Sequence, residues 1–465
     1  MSDFQNTIKN TINFSGVGIH TGVFTNMKLK PAKENYGIKF IRVDKDKNLE
    51  IEATVDNLFT TNRSTSLIKN NLEVHTVEHI LASITGNKID NIKIEIDNKE
   101  IPILDGSSLD FSEQIKKTGI KKQNAIRQYF VIPRKISFKD EKTGSELIAI
   151  PDSNYKIDVQ IDYNSKKLGI QKASLNNLFE FNSEISSSRT FCFLHELEEM
   201  IDKNLVKGGD LNNAMVIVEN SISKTKLNKI KEVFNNPKIN INKNGYLNNI
   251  TPRFNNEPAR HKLLDVIGDL CLVGLPIKGK IIAIKPGHKN NTKFAKKLRK
   301  IMKEQKDKTA PMVDFNKSPL YDKQKIKSIL PHREPFLFID EIREIGDDYI
   351  IGVKYVKAEE EYFKGHFPSE PVMPGVLQLE TMAQTGGVLI LNTVKNPQDY
   401  LTFFMKIDNA KFKRKVIPGD TIIFKLKLIS PIRRGLCHMR GTGFVNNKIA
   451  VEADLLAQIA PKKDL

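Results

Sequence analysis

The sequence contains few cysteines and no long uninterrupted apolar run. Its 465 residues include only Cys192, Cys271 and Cys437, and no two of them form a C-x-x-C pair. This scarcity argues against a disulfide framework and against a zinc site built from cysteines, and it indicates a reducing compartment. The most apolar stretch, residues 263–284, is interrupted by four charged side chains. The sequence therefore predicts no membrane span.

The sequence also lacks a visible targeting signal and a nucleic-acid-binding motif. Residues 1–9 do not have the basic and then apolar layout of a signal peptide, so we expect a cytoplasmic protein. The net charge of +18 would suit a nucleic acid, an anionic membrane or an acidic protein. However, the lysines are scattered along the chain, and neither zinc-finger spacing nor an aromatic stacking motif is present. We therefore expect no nucleic-acid partner, and an acidic protein is the remaining candidate.

Hydrophobic periodicity in the first three hundred residues predicts both strands and helices. Apolar and polar residues alternate at 92–96 and again within 125–165, as in half-buried strands. Helical periodicity occurs at 74–84, 188–203 and 257–272. This mixture predicts an α+β fold.

A predicted linker separates this part from the rest of the chain. Residues 294–308 have the pattern of a strongly basic amphipathic helix, after which the periodicity is lost and Pro311 and Pro319 occur. We place the linker at residues 307–321. Beyond it, the segment 374–392 is apolar on nearly all sides. A helix of that kind must be buried, so we expect a sheet to wrap around it.

Two short motifs contain residue types that bind zinc. His261 and Asp265 are four residues apart in a predicted helix, which puts both side chains on one face, about 5–6 Å apart at Cβ. A catalytic zinc ion needs three protein ligands and an open position. A third ligand is available in His75-Thr-Val-Glu-His79, an H-x-x-E-H sequence. Taken alone, that motif favours an inverted-zincin metallopeptidase with His75 and His79 as ligands and Glu78 as base.

Six motifs occur in a characteristic order in the first three hundred residues. They are Ser15-Gly-Val-Gly-Ile-His-Thr-Gly22, Thr76-Val-Glu-His79, Ile101-Pro-Ile-Leu-Asp-Gly-Ser107, Ser188-Arg-Thr-Phe191, Arg260-His-Lys-Leu-Leu-Asp-Val-Ile-Gly-Asp269 and Gly287-His288. Together they resemble the UDP-3-O-acyl-N-acetylglucosamine deacetylases of lipid A synthesis. The resemblance covers residues 3–305. It implies two α+β sandwich domains, residues 1–125 and 126–306, with the active site between them.

The resemblance implies a set of site residues. A Zn²⁺ cofactor would be bound by His79, His261 and Asp265, and His75 would not be a ligand. Glu78 would act as general base on the attacking water. Four further residues are implied in the same site: Thr190 as donor to the oxyanion, Lys262 as a neighbouring cation, His288 as general acid and Asp269 as its orienting carboxylate. A second acid is needed because the amine product must leave protonated.

Three motifs in the last part of the chain point to a second activity. They are Pro331-His-Arg-Glu-Pro-Phe-Leu-Phe-Ile-Asp340, Gly365-His-Phe-Pro368 and Pro374-Gly-Val-Leu-Gln-Leu-Glu-Thr-Met-Ala-Gln384. They resemble the (3R)-hydroxyacyl-acyl carrier protein dehydratases, which implies a hot-dog fold for residues 322–465. Elimination needs a base and an acid, and His366 and Glu380 fit these roles. The backbone of Gly375, at a helix N-terminus, would meet the thioester oxygen, while His332 is interpreted as structural.

The sequence therefore predicts a bifunctional enzyme: a zinc-dependent deacetylase followed by a hot-dog dehydratase. Its predicted partners are an acylated UDP-sugar and acyl carrier protein. The latter is acidic and suits the basic residues of the last domain, Lys411, Lys413, Arg414, Lys415, Arg433 and Arg434. The family places the His and Glu of one dehydratase site on different subunits, so we expect a homodimer or a hexamer. Two alternatives stay open, an inverted-zincin metallopeptidase in the first half and a basic, non-catalytic binding protein.

Overall fold

The computed structural model describes residues 3–46, 48–202, 206–219, 222–241, 245–247 and 251–462. The chain divides into two compact units, Met1–Met302 and Lys303–Leu465. The described α-helices are α1 (Glu78–Gly86), α2 (Leu109–Thr118), α3 (Leu194–Asp202), α4 (Lys224–Val233), α5 (Glu257–Cys271), α6 (His288–Asp307), α7 (Lys323–Lys327) and α8 (Gly375–Leu391).

Strands make up much of both units. The first unit contains β1 (Phe4–Ile8), β2 (Ile12–Val17), β3 (Phe24–Pro31), β4 (Ile38–Arg42), β5 (Ile51–Glu52), β6 (Leu67–Lys69), β7 (Leu72–Val74), β8 (Ile92–Ile96), β9 (Ile120–Ile126), β10 (Phe130–Val131), β11 (Ile136–Asp140), β12 (Ser145–Ile150), β13 (Tyr155–Ile161), β14 (Gln171–Leu175), β15 (Phe191–Phe193), β16 (Met215–Ile217) and β17 (Ile277–Ile284). The second unit contains β18 (Glu341–Ile345), β19 (Tyr349–Tyr355), β20 (Tyr400–Phe412), β21 (Thr421–Leu428), β22 (Leu436–Val445) and β23 (Lys448–Pro461). The α+β prediction is confirmed.

The N-terminal part of the first unit is built on a five-stranded sheet in the order β2-β3-β8-β4-β5. The strand predicted at residues 92–96 is confirmed as β8. Ile92, Ile94 and Ile96 are fully buried on one face, whereas Lys93 and Glu95 point to the other. The burial of alternate isoleucines holds this sheet against α1 and α2, which belong to the same apolar core.

The second sheet of the unit has the order β11-β12-β17-β13-β14, with β10 beside β17. Helix α5 packs on β13 and β14 and also on α1. The predicted helix at 257–272 is confirmed as α5, which has Pro258 in its first turn, where the missing N–H of proline is tolerated. This helix therefore links the second sheet to the first part of the unit.

Helices α1 and α5 approach each other unusually closely at Gly268. A Cβ atom on Gly268 would lie 2.1 Å from the carbonyl oxygen of Glu78, the first residue of α1. Only glycine allows two backbones to come this near. The contact brings the start of α1 against α5, and with it the residues predicted to bind zinc.

The Gly268→Ala variant is expected to force α1 and α5 apart. Overpacking of this kind lowers the free energy of unfolding by about 1–3 kcal/mol, which chemical denaturation would measure. Gly287→Ala is the matched control, because a Cβ atom there meets nothing within 4 Å. An equal stability for the two variants would contradict the close helix contact.

Two predicted helices of the first unit differ from the structure at their N-terminal ends. The one predicted at 74–84 begins only at Glu78, because the backbone of His75 pairs with Lys99 and Ile101 and Thr76 has a positive φ of 59°. The prediction at 188–203 is wrong in its first half. There β15 pairs in parallel with β16, α3 follows, and residue 203 lies outside the described residues.

The second unit is an antiparallel sheet in the order β18-β19-β21-β22-β23-β20. Helix α8 packs against β19, β20, β21, β22 and β23. Twelve of its residues are buried, so the predicted apolar helix wrapped by a sheet is confirmed. This is the hot-dog arrangement that the sequence predicted.

Strand β20 is one edge of this sheet and carries large exposed apolar side chains. They are Phe403 (43% exposed), Phe404 (41%), Met405 (56%), Ile407 (42%) and Phe412 (51%). An apolar edge strand with free backbone groups is a template for pairing with another chain. The β20 edge therefore presents unpaired backbone groups beside exposed apolar side chains.

A segment without regular structure follows helix α6. Helix α6 begins at His288, earlier than predicted, and ends at Asp307. Residues 308–320 contain no helix or strand.

Among the described residues, no helix has both the length and the apolar character needed to cross a membrane.

Candidate active sites

Three predicted zinc ligands come together in the first unit. His79 is the second residue of α1, and His261 and Asp265 lie one turn apart on α5. One potential ligand atom from each lies within 4.8 Å of the others, and all three residues are buried. Oδ1 of Asp265 is 3.4 Å from Nε2 of His261 and 3.9 Å from Nε2 of His79.

The donor set fits a divalent cation. The Nδ1–H of His261 donates to the carbonyl oxygen of Ser188 at 3.1 Å, which leaves its Nε2 lone pair directed at Asp265. Burial and the charge of His261 lower the pKa of His79 to about 3, so this ring is neutral, as a metal ligand must be. Oδ1 of Asp265 is buried and has no hydrogen-bond partner among the residues that the structure describes. A bound cation would satisfy this otherwise unpaired oxygen.

Glu78 and His288 face each other beside this cluster. Oε1 of Glu78 is 3.8 Å from Nε2 of His288. Burial raises the pKa of Glu78 to about 7, with the charges of Asp269 and Asp265 adding to the rise. A carboxylate with a pKa near neutrality is suited to take up a proton from water and to release it again.

His288 is held by a carboxylate behind it. Its Nδ1–H donates to Oδ2 of Asp269 at 2.9 Å, and Nδ2 of Asn291 donates to the same oxygen at 2.8 Å. Although burial opposes it, the charges of Asp269, Asp265 and Glu78 raise the pKa of His288 to about 10. The imidazole is therefore protonated at neutral pH and can act as an acid.

Lys262 is also in the cluster. Its Nζ donates to Oδ2 of Asp265 at 2.8 Å. Although burial opposes it, the charge of Asp265 raises the pKa of Lys262, which keeps the ammonium charged. The same ammonium lies 5.5 Å from the centre of the Phe191 ring. A fixed positive charge is thus placed next to the predicted metal ligands.

The segment with Ser188 and Thr190 is fastened to α5 by a buried ion pair. The backbone N–H and the Nε–H of Arg189 donate to Oε1 of Glu257 at 3.0 and 2.9 Å. Glu257 is one turn before His261 on α5. The pair therefore places the Ser188 carbonyl against the His261 ring. The side chain of Thr190 makes no hydrogen bond with the cluster among the described residues, so its role stays a prediction.

His75 is engaged elsewhere. Its Nδ1 is 2.8 Å from Oγ of Ser66, and its Nε2 is 3.0 Å from Oε2 of Glu73. Neither ring nitrogen is directed at the ligand cluster. The ligand pair that an inverted zincin needs, His75 with His79, is therefore not assembled.

The second unit places Glu380 at the polar end of an apolar pocket. Oε1 of Glu380 accepts a hydrogen bond from Nε2 of Gln384 at 2.9 Å and lies 3.5 Å from Nε2 of His332. Glu380, Gln384 and His332 all line the pocket. Its apolar lining includes Leu330, Ile390, Leu426, Cys437, Met439 and Leu455. Such a pocket suits an acyl chain whose reacting end meets Glu380.

His366 is oriented separately from Glu380. Its Nδ1–H donates to the carbonyl oxygen of Val372 at 2.7 Å, and Nε2 has no hydrogen bond among the described residues. His366 does not line the pocket that contains Glu380. Gly375 is the first residue of α8, and a Cβ atom there would lie 2.7 Å from the ring of Phe412. In this single chain, the described contacts do not join the predicted base to the predicted acid.

Comparison with known proteins covers both units. The model of the UDP-3-O-acyl N-acetylglycosamine deacetylase family matches residues 5–235 and 228–300, and a FabA-like domain model matches residues 330–454. The "Bifunctional enzyme LpxC/FabZ" of Bacteroides thetaiotaomicron is 45% identical over 459 residues, 99% of each chain. That of Porphyromonas gingivalis is 45% identical over 460 residues, again 99% of each. The chain belongs to the bifunctional LpxC/FabZ family.

A single-activity relative matches only one unit of this LpxC/FabZ family member. The UDP-3-O-acyl-N-acetylglucosamine deacetylase of Syntrophus aciditrophicus is 35% identical over 296 residues, which is 63% of this chain and 86% of that protein. The two units thus correspond to two separate enzyme families, as the two groups of sequence motifs predicted.

The LpxC/FabZ motifs assigned no site role to two residues that lie in the sites. Thr65 is fully buried and contacts both Glu78 and Asp269. His332 was interpreted as structural, and its ring lies beside Glu380. Burial lowers the pKa of His332 although Glu380 opposes the shift, which favours the neutral ring. No periodicity or spacing in the sequence marks either residue.

Proposed function

We propose that the first unit removes the acetyl group from a UDP-3-O-acyl-N-acetylglucosamine and that the second dehydrates (3R)-hydroxyacyl-acyl carrier protein. The observation that carries this proposal is similarity to bifunctional LpxC/FabZ enzymes over 99% of the chain. Each unit also contains its own acid and base groups. Both proposed substrates carry a 3-hydroxyacyl group, so both units must bind an acyl chain of the same type.

In the deacetylase unit, we propose Zn²⁺ as the metal ion held by His79, His261 and Asp265, because nitrogen and carboxylate donors without thiolate are typical of catalytic zinc. When bound, it supplies Lewis acidity toward water and the amide carbonyl. Glu78 takes the proton of the attacking water through Oε1, the oxygen that faces His288.

Breaking the amide bond requires a proton on the leaving nitrogen. His288, kept protonated by Asp269, donates it from Nε2. In this proposal, Lys262 and Thr190 stabilise the negative charge that develops on the carbonyl oxygen. Glu78 then passes the proton that it took from water to His288, which restores both groups. The transfer is short because Oε1 of Glu78 lies 3.8 Å from Nε2 of His288.

In the dehydratase unit, Nε2 of His366 removes the proton on the carbon next to the thioester, and Glu380 protonates the departing hydroxyl. The N-terminus of α8 at Gly375 stabilises the enolate oxygen with its N–H groups and helix dipole. Gln384 holds Glu380 by its 2.9 Å hydrogen bond. The apolar pocket beyond Glu380 receives the acyl chain.

We further propose that the second unit assembles as a homodimer, or as a hexamer made of three such dimers. The apolar edge strand β20 supports a second copy at this surface. The separation of His366 from the Glu380 pocket supports sites that combine two subunits. Acyl carrier protein is the proposed partner of the exposed basic side chains at Lys411, Lys413 and Lys415.

The proposed domains are residues 1–125, 126–306 and 322–465, with the linker at 307–321. The lack of helix and strand at residues 308–320 supports this linker. Cytoplasmic localisation is also a proposal, supported by the three free thiols.

Single substitutions are expected to separate the two activities. In the full-length chain, Glu78→Gln should lower deacetylation by about 10²–10⁴-fold through loss of the base and leave dehydration unchanged. Glu380→Gln should give the opposite pattern. Both reactions are measured on the same preparations, so each variant is the control for the other. Deacetylation by Glu78→Gln at the wild-type rate would contradict the proposed base.

A further inference from the structure

Thr65 lies between the proposed base and the proposed acid of the deacetylase. It precedes β6 and is 0% exposed. Its carbonyl oxygen accepts a hydrogen bond from the N–H of Val77 at 3.1 Å, immediately before α1. The segment is thus fixed against the helix that carries Glu78.

The backbone of Thr65 holds one oxygen of Glu78. Its N–H donates to Oε2 at 3.0 Å. The other oxygen, Oε1, is the one that faces Nε2 of His288. A carboxylate that is fixed at one oxygen presents the other in a defined direction.

The side chain of Thr65 holds the carboxylate behind the acid. Its Oγ1–H donates to Oδ1 of Asp269 at 2.5 Å and lies 3.3 Å from Nδ1 of His288. The other oxygen of Asp269, Oδ2, receives the bonds from His288 and Asn291. Asp269 is 0% exposed, so bulk water does not reach this carboxylate. Among the described residues, no other side chain donates a hydrogen bond to Oδ1 of Asp269.

We propose that Thr65 is a positioning residue that fixes Glu78 and His288 relative to each other. The N–H orients the base directly, and the hydroxyl orients the acid through Asp269. This inference rests on the proposed deacetylase function. Because Thr65 acts on the alignment of proton-transfer groups and not on substrate contacts, its loss should lower kcat and leave KM nearly unchanged.

The test compares Thr65→Val and Thr65→Ser in the full-length, zinc-loaded chain. Valine keeps the shape and the backbone N–H but removes the hydroxyl, and serine retains the hydroxyl. We expect Thr65→Val to lower kcat by about 10–100-fold, the range known for hydrogen-bond partners that orient metal-ligating residues. Thr65→Ser should recover most of this loss. KM and zinc content should stay within about twofold of the wild type for both variants.

Thr25→Val is the matched control. Thr25 is also 0% exposed, but its hydroxyl has no hydrogen-bond partner among the described residues. Removal of that hydroxyl should leave kcat unchanged, because no bond is lost. Thr65→Cys replaces Thr65→Val if the valine variant does not fold, since a thiol is a weak donor of similar size.

A double-variant cycle tests the route through Asp269. If the hydroxyl acts through this carboxylate, Thr65→Val should cost little in an Asp269→Asn background. A kcat for Thr65→Val within about twofold of the wild type, no recovery with serine, or full additivity with Asp269→Asn would overturn the inference. Lack of deacetylation by the wild-type chain would contradict the proposed function instead.

Discussion

The Asp265→Ala variant is expected to lose its metal ion and its deacetylase activity while keeping dehydratase activity. Asp265 supplies the only carboxylate in the described ligand cluster, and its Oδ1 lies 3.4 and 3.9 Å from the two imidazole nitrogens. Changes to groups that merely orient ligands cost about 10–100-fold in metal affinity, so loss of a ligand should exceed this. Metal analysis after dialysis against a chelator measures the affinity, and an amide-hydrolysis assay measures the activity.

His75→Ala is the control for this prediction. Both ring nitrogens of His75 have partners outside the cluster, so the variant should retain the metal ion and the activity. Metal loss in His75→Ala combined with metal retention in Asp265→Ala would instead support an inverted-zincin ligand set. The pair of variants therefore distinguishes the deacetylase ligand set from the inverted-zincin ligand set.

Co-expression of His366→Ala and Glu380→Ala chains is expected to restore dehydration that neither variant shows alone. Each variant by itself lacks the base or the acid and should be about 10²–10⁴-fold slower. If each site takes its histidine from one subunit and its glutamate from the other, every mixed dimer has one intact site. Random pairing then gives about a quarter of the wild-type rate.

The control is a mixture of wild-type chains with the double variant His366→Ala/Glu380→Ala. Under shared sites, mixed dimers of this kind contain no intact site, so activity comes from wild-type dimers alone, about a quarter of the total. If each chain holds a complete site, the same mixture retains about half. Failure of the first mixture together with half activity in the second would refute the shared site.

The sequence could predict the features that depend on residues close together in the chain, such as helices and the spacing of side chains on them. The periodicity at 257–272 and at 374–392 predicted α5 and α8, because helical spacing repeats within the segment itself. The four-residue spacing of His261 and Asp265 predicted that their side chains share one face, and the structure places them together. The order of the motifs then allowed the family, and with it the distant ligand His79, to be inferred.

The features that could not be predicted depend on distant partners. Strand β15 forms because β16 lies beside it, which no pattern within 188–203 reveals. Thr65 enters the site through Asp269, about two hundred residues further along the chain. His332 was interpreted as structural, and tertiary packing places its ring next to Glu380.

The cluster of ligands draws on both ends of the first unit, with His79 in α1 and Asp265 in α5. With the proposed ligand set, a nascent chain cannot acquire its metal ion until the ribosome has released α5 and that helix has docked on α1. Fragments that end before α5, from premature termination or proteolysis, would contain His79 without its partners. Metal uptake is thus a mark of completed synthesis and folding of this unit, and chelators in a translation reaction would act only after that point.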